Sequence, residues 1–179
     1  MRITGGILSG RQIKVPPGII RPAMDKMRES VFAVLGDLSG LSFLDLFTGS
    51  GIIALEAVSR GAEYAEAVEM DPLKRKILLE NVSISPVRIN CRFMPAELYI
   101  KRAKKSFDII FCDPPFVYKF KNELLTSICS SALVKDGTMI LLHRPRNDTL
   151  SIDISYLFCH DQREYGRSIV SFLKYQKTP

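Results

Sequence analysis

Phe43-Leu44-Asp45-Leu46-Phe47-Thr48-Gly49-Ser50-Gly51 joins five residues of strand character to a glycine-rich turn, and Ile52 to Arg60 continues as a helix-length apolar stretch. Glycines at such a turn let the backbone reverse tightly and approach a ligand, while the helix that follows presents unpaired N–H groups. A ligand at the carboxyl end of this strand is expected, although any tight strand-to-helix turn favours glycine. Downstream, short apolar runs at Ala65 to Glu69, Val87 to Phe93, Phe107 to Cys112 and Thr138 to His143 alternate with amphipathic stretches at Pro72 to Val82, Pro95 to Lys104 and Phe120 to Leu133. Strands with no polar face, spaced by helices, imply a parallel sheet covered on both sides by crossover helices. The last two runs, Ile152 to Cys159 and Ser168 to Tyr175, lack a helix-length spacer and are expected to pair antiparallel at the sheet edge.

Upstream of this block, Gly5-Gly6, Ser9-Gly10 and Val15-Pro16-Pro17-Gly18 punctuate an alternating segment, which reads as a β-hairpin running into an irregular connector. Met27, Val31, Val34 and Leu35 then recur at helical spacing between Asp25, a candidate N-cap, and Gly36, a candidate stop. The chain thus divides into a hairpin extension over residues 1–20 and a larger α/β domain over 21–179.

The 179 residues are 46% hydrophobic and 25% charged, enough apolar content for one core and unlike a disordered chain. No stretch has the run of about 18 apolar residues that spans a bilayer, and the first residues lack the apolar segment of a signal peptide. A cytoplasmic, monomeric protein is expected, with no membrane partner. The net charge of +6 suits a polyanionic partner. Cys91, Cys112, Cys129 and Cys159 show no paired ligand spacing, and His143 and His160 are the only histidines, so no metal site is expected.

Glu69, at the end of the second strand run, lies 18 positions past Gly51. An acid there can accept the ribose hydroxyls of an adenosine-containing cofactor. Gly49, Gly51 and Ala54 also satisfy G-x-G-x-x-A, so a nicotinamide dinucleotide and S-adenosylmethionine both remain open at this point. Asp71, just before Pro72, reads equally well as a helix cap.

The fourth apolar run separates the two cofactors, because it ends in Asp113-Pro114-Pro115-Phe116. Consecutive prolines remove two N–H donors and stiffen the chain, leaving carbonyls beside a carboxylate and an aromatic ring. Such a group suits a planar exocyclic amine, whose lone pair becomes nucleophilic only when acceptors hold its N–H bonds. Asp113 and the Pro114 carbonyl are candidate acceptors, and Phe116 a candidate stacking surface for the base. Attack on a sulfonium methyl then needs alignment more than a covalent nucleophile. Cys112 is expected to point into the core, away from Asp113.

Taken together, these motifs resemble a class I S-adenosylmethionine-dependent methyltransferase, and specifically the bacterial RsmD family. The resemblance runs through Arg2-Ile3-Thr4-Gly5-Gly6 with Gly10-Arg11, Arg21-Pro22 with Arg28-Glu29, Phe43 to Gly51, Leu55-Glu56-Ala57, Ser59-Arg60-Gly61, Glu69-Met70-Asp71, Asp113 to Phe116 and Tyr165-Gly166. It implies a Rossmann-like fold with a mostly parallel seven-stranded sheet, helices on both faces and an antiparallel edge strand. It also implies methylation of the exocyclic N2 of a guanine in 16S ribosomal RNA of the small subunit. The cofactor would lie against Asp45, Phe47, Thr48, Gly49, Ser50, Gly51, Glu69, Met70, Ala96 and Arg28, and the target amine against Asp113, Pro114, Pro115 and Phe116. The sequence departs from the family at Phe116, usually tyrosine, at Ala23-Met24, usually Thr-Ser, and at Pro95, usually an aspartate that meets adenine. Adenine contacts then fall to the backbone of Ala96 or to Glu97.

Arg2, Arg11, Lys14 and Arg21 precede the catalytic block with no acidic residue among them, and are the expected phosphate contacts. The second basic cluster, Lys101, Arg102, Lys104 and Lys105, sits at a helix end, where cations favour the dipole, and is expected to be solvated. Methylation of adenine N6 in DNA, or of another nucleic-acid amine, is the nearest competing activity. A nicotinamide-dependent dehydrogenase would leave Asp113 to Phe116 unexplained, and a catalytically silent RNA-binding assembly factor would need neither Glu69 nor Asp113.

Overall fold

A computed structural model describes residues 1–15, 23–151 and 153–177. Seven strands form one sheet in the order β3-β2-β1-β4-β5-β7-β6. The parallel part comprises β1 (Ser42–Asp45), β2 (Tyr64–Glu69), β3 (Ile89–Phe93), β4 (Ile109–Cys112) and β5 (Met139–Pro145). β6 (Leu157–Tyr165) and β7 (Ser168–Tyr175) form an antiparallel hairpin whose second strand inserts beside β5, leaving β6 at the edge. The strand order reverses between β1 and β4, which opens a crevice at their carboxyl ends.

Period-two alternation assigns each strand residue to one of two cores. Phe43, Ile109, Phe111, Leu141, Val170 and Phe172 face one core, which is closed by α1 (Ala23–Leu35) and α2 (Ile52–Ser59). Leu44, Ile110, Cys112, Ile140, Leu142 and Leu173 face the other, closed by α4 (Ala96–Lys101) and α5 (Lys121–Cys129). Cys112 is therefore a core thiol, as its place in the alternation predicts, and burial pushes its pKa well above the ordinary thiol range. A 3₁₀ turn at Pro72–Lys74 leads into α3 (Arg75–Val82). Gly36 stops α1 at φ +72°, its N–H bonding Phe32 O at 3.0 Å. Asp25 lies in the first turn of α1, which begins at Ala23, and its carboxylate pairs with Arg28 one turn on, at 2.8 Å.

Several boundaries differ from the sequence expectation: α5 ends at Cys129, four residues before Leu133, α4 ends at Lys101, three before Lys104, and β3 starts at Ile89, two after Val87. β6 starts five residues later than Ile152 and runs on through His160 to Tyr165, since an edge strand exposed on both faces has no apolar pattern to mark it; Ile152 itself lies outside the described residues. The N-terminal hairpin reduces to one antiparallel bridge, Arg2 to Gln12, with Ile3 N bonding Arg11 O and Ile13 N bonding Met1 O, each at 2.9 Å. It also packs against α2 and bonds Arg28 of α1 and Asn81 of α3. Ile3, Leu8 and Ile13 are buried in the first core, and Gly6 passes so close to Ser59 O that a Cβ would overlap it at 1.7 Å.

Arg28 and Glu56 are both fully buried at this seam. Arg28 bonds Arg2 O at 2.8 Å and Glu56 Oε1 at 3.3 Å, while Thr4 N and Arg60 complete the Glu56 carboxylate. Buried charges persist only when paired and hydrogen-bonded in this way. The arm then climbs α2 and meets the glycine turn through Asn81, which bonds Lys14 N, Lys14 O and Ser50 O, each at 2.9 Å. Among the described residues, no helix is long and apolar enough to cross a membrane.

Candidate active site

The crevice at the strand ends is a cleft of about 700 Å³. Phe47, Glu69, Met70, Asp71 and Lys74 line it from the β1–β2 side, and Asp113, Pro114, Pro115, Phe116, Tyr118 and His143 from the β4–β5 side, with Met94, Ala96 and Glu97 from the β3–α4 connection.

On the first side the carboxylates organise their own backbone. Glu69 accepts Gly49 N through one oxygen and Asp71 N through the other, both at 2.8 Å, and Lys74 approaches at 3.7 Å. Each oxygen keeps a lone pair for a further donor. Asp71 accepts Leu73 N at 2.9 Å, which bears out the capping reading, and it also lines the cleft. Below the turn, Asp45 is buried: Oδ2 takes the Thr48 hydroxyl at 2.6 Å, whereas Oδ1 has no partner among the described residues. Burial raises the Asp45 pKa to about 7, Asp113 and Glu69 push the same way, and bonds from Thr48 and the Phe47 N–H offset part of the shift.

On the second side, Pro115 O closes a turn with Tyr118 N at 2.8 Å, and no described residue takes the Pro114 carbonyl. Asp113 Oδ1 lies 2.8 Å from His143 Nδ1, and the His143 ring meets Phe116 edge-on, with centroids 5.5 Å apart. His143 is 4% exposed, and its Nε2 is buried with no partner among the described residues. Tyr118 bonds Glu97 at 2.7 Å across the mouth of the cleft and stands between Phe47 and Phe120, at centroid distances of 5.9 and 6.1 Å.

Of the residues expected to meet a cofactor, Phe47, Glu69, Met70 and Ala96 line the cleft. Asp45, Thr48, Gly49, Ser50 and Gly51 do not line it, though Gly49 bonds the lining residue Glu69 and Asp45 bonds Thr48. Arg28 does not line the cleft either; its guanidinium pairs with Glu56, Asp25 and Arg2 O in the arm seam. Gly51, at φ +84°, owes its identity to packing as well, since a Cβ there would lie 2.8 Å from Leu78 Cδ1 and 3.1 Å from Val82 Cγ1. All four residues from Asp113 to Phe116 line the cleft together.

Arg2, Arg11 and Lys14 are exposed on the arm, Lys14 paired with Glu80 at 2.8 Å, and Arg21 lies outside the described residues. Lys105 is tied to the buried Glu66 at 2.7 Å. Burial alone would raise the Glu66 pKa, but bonds from Lys105, Tyr64, Arg92 and Tyr99 outweigh it and hold the group near 2. That cation has a structural partner.

Sequence reasoning missed His143 and Tyr118. His143 ends an apolar run as Asp113 follows one, and pairing of β4 with β5 sets Cys112 beside Leu142, so the next residue on each strand meets its neighbour. Equal offsets past neighbouring strand runs were the available signal. Tyr118 carried none beyond its closeness to the motif.

A family model described as "Conserved hypothetical protein 95" matches residues 1–174. "Ribosomal RNA small subunit methyltransferase D" of Escherichia coli (strain K12) is 30% identical over 182 residues, covering 99% of this chain and 90% of its own. The protein of the same name from Haemophilus influenzae is 25% identical, covering 98% and 93%. The solved structure of yhhF from Escherichia coli superposes with a TM-score of 0.89 at 25% identity, over 99% of both chains. That of a hypothetical protein from Thermus thermophilus gives 0.80 at 30%, over 96% of this chain and 98% of its own. A family match of this extent, on a sheet of this order and over a cleft built from these motifs, establishes that the chain belongs to the RsmD family of class I methyltransferases.

Proposed function

We propose that the protein transfers a methyl group from S-adenosylmethionine to the exocyclic N2 amine of a guanine in small-subunit ribosomal RNA. The observation that carries this reading is the convergence of Glu69 and the Asp113–Phe116 motif on one cleft from opposite sides of the strand reversal. The residues present fit the cofactor. Asp45 Oδ1 is a buried acceptor in need of a donor such as an amino group, Glu69 keeps acceptor capacity for two hydroxyls, and Met70 and Met94 offer apolar surface for a flat ring. When bound, the cofactor supplies an electrophilic methyl carbon on sulfur.

The remaining work falls to the chain. Asp113 and the Pro114 carbonyl accept the two N–H bonds of the target amine and turn its lone pair out of conjugation, and Phe116 stacks on the base. The stiff proline pair keeps these acceptors fixed, so the alignment is made before the substrate arrives. Tyr118, bonded to Glu97, narrows the mouth through which water would enter.

The names of the relatives and the basic arm support ribosomal RNA as substrate; the amino group itself follows from the acceptors around Asp113. Incubating the protein with methyl-labelled cofactor and undermethylated small ribosomal subunits, then mapping the labelled base, tests the proposal. Label on guanine N2 is expected. Label on adenine N6, or on DNA in preference to RNA, overturns it.

A further inference from the structure

His143 closes the apolar run Ile140-Leu141-Leu142 on β5, where an apolar side chain would pack without cost. Instead the site holds an imidazole whose Nε2 is buried without a described partner, an arrangement that lowers stability. Burial in the apolar run alone gives no reason for a histidine here.

Its contacts do. Nδ1 lies 2.8 Å from Asp113 Oδ1, and where the carboxylate oxygen accepts, the shared proton resides on Nδ1. In the neutral ring Nε2 is then bare, which removes any need for a buried acceptor beside it. The same ring meets Phe116 edge-on, at 5.5 Å between centroids and 68° between planes. One side chain from β5 thus holds both ends of the motif that follows β4. Asp113 Oδ2 is left for a donor in the cleft that both residues line.

We propose that His143 is a positioning residue for methyl transfer: as the Nδ1–H tautomer it fixes the Asp113 carboxylate toward the target amine and sets the angle of Phe116 against the target base. This deepens, and rests on, the amino-methyltransferase reading above.

His143→Leu removes the donor and keeps the bulk. It is expected to leave cofactor affinity unchanged and to lower kcat about ten- to a hundredfold, the scale of a small misplacement of a reacting group, with a smaller change in KM for the ribosomal substrate. His143→Asn carries an amide N–H where Nδ1–H stands and is expected to recover most of the loss. His143→Gln, whose amide falls nearer Nε2, is not. In protein labelled with ¹⁵N-histidine, His143 is expected to show the Nδ1–H tautomer, and Asp113→Ala to abolish that preference.

Wild-type kcat in His143→Leu, equal rates for the Asn and Gln variants, or a dominant Nε2–H tautomer overturns the proposal. If His143→Leu does not fold, the Asn and Gln pair and the tautomer decide. If the wild-type protein transfers no methyl group to undermethylated small subunits, it is the reading of function that fails. The tautomer measurement needs neither RNA nor turnover and tests the His143–Asp113 pair independently.

Discussion

The two walls of the cleft are built differently. On the β1–β2 wall, carboxylates hold the glycine turn and the end of β2: Asp45 accepts from the Thr48 hydroxyl three residues on, and Glu69 accepts from Asp71 N two residues on and, across α2, from Gly49 N. On the β4–β5 wall, side chains 30 positions apart meet only because two strands run in register, and the lip is open, with Val117 85% and Phe120 61% exposed. The first wall is braced by carboxylates on the backbone and hydroxyl of its own turn; the second is held by the pairing of Asp113 with His143 between two strands. Damage to the first should appear as lost folding or cofactor affinity, and damage to the second as lost turnover with the cofactor still held.

The largest effect belongs to the first wall. Gly51→Val would place a β-branched side chain at φ +84° and press it on Leu78 and Val82. Left-handed strain and overpacking together give a loss of about 2–5 kcal/mol, read as a fall in Tm. A variant as stable as wild type would show that the turn is looser than its contacts indicate.

Asp113→Ala tests the second wall. Methyl transfer is expected to fall at least about a hundredfold while cofactor affinity stays within a few-fold, since acceptor alignment is lost and the β1–β2 wall is untouched. A comparable fall in cofactor affinity would mean that the two walls act as one. Phe116→Ala should weaken substrate engagement by about 1–3 kcal/mol, the range for base stacking, and Phe116→Tyr should be tolerated. Equal RNA affinity in the alanine variant would remove Phe116 from the base.

Asp45 links the walls electrostatically: burial, with lesser contributions from Asp113 and Glu69, raises its pKa to about 7 against the lowering bonds from Thr48 and Phe47. Between about pH 4 and pH 7 the folded protein binds this proton and the unfolded chain does not, so Asp45 makes stability decline as pH rises, by at most about 1.4 kcal/mol per unit. Asp45→Asn should flatten that decline in thermal unfolding measured from pH 4.5 to pH 7. An unchanged pH profile would show that Asp45 ionises freely.

How much was legible in the sequence follows the same division. The alternating runs, the glycine turn, Glu69 and Asp113–Phe116 are local signals, and the sheet and the cleft assemble from them as expected. His143 was not legible as part of a site, because its meaning depends on the offset between two strands and not on its neighbours in the chain. Arg28 sits in the conspicuous segment with Glu29 yet is held in the arm seam, its buried guanidinium paired with the Glu56 carboxylate and the Arg2 carbonyl, partners that its neighbours in the chain do not reveal. The start of β6 escaped because edge residues exposed on both faces need not alternate.

The smallest effect tests whether the arm belongs with the self-braced wall or with the substrate. Asn81 fastens Lys14 to Ser50, so the arm reaches the glycine turn after β1, while Arg2, Arg11 and Lys14 remain exposed. If their charges meet phosphates, replacing all three with alanine should flatten the salt dependence of RNA binding by up to about three units of slope, with cofactor affinity unchanged. Lys14 contributes least, because it already pairs with Glu80 at 2.8 Å, though an exposed pair is worth only about 0–1 kcal/mol. Glu80→Ala should therefore free Lys14 and tighten RNA binding by up to about fivefold at low salt, a gain that fades as salt rises. Glu80→Ala with no gain, beside an arm variant that binds RNA normally, would make the arm a brace for the glycine turn alone and move the phosphate contacts elsewhere.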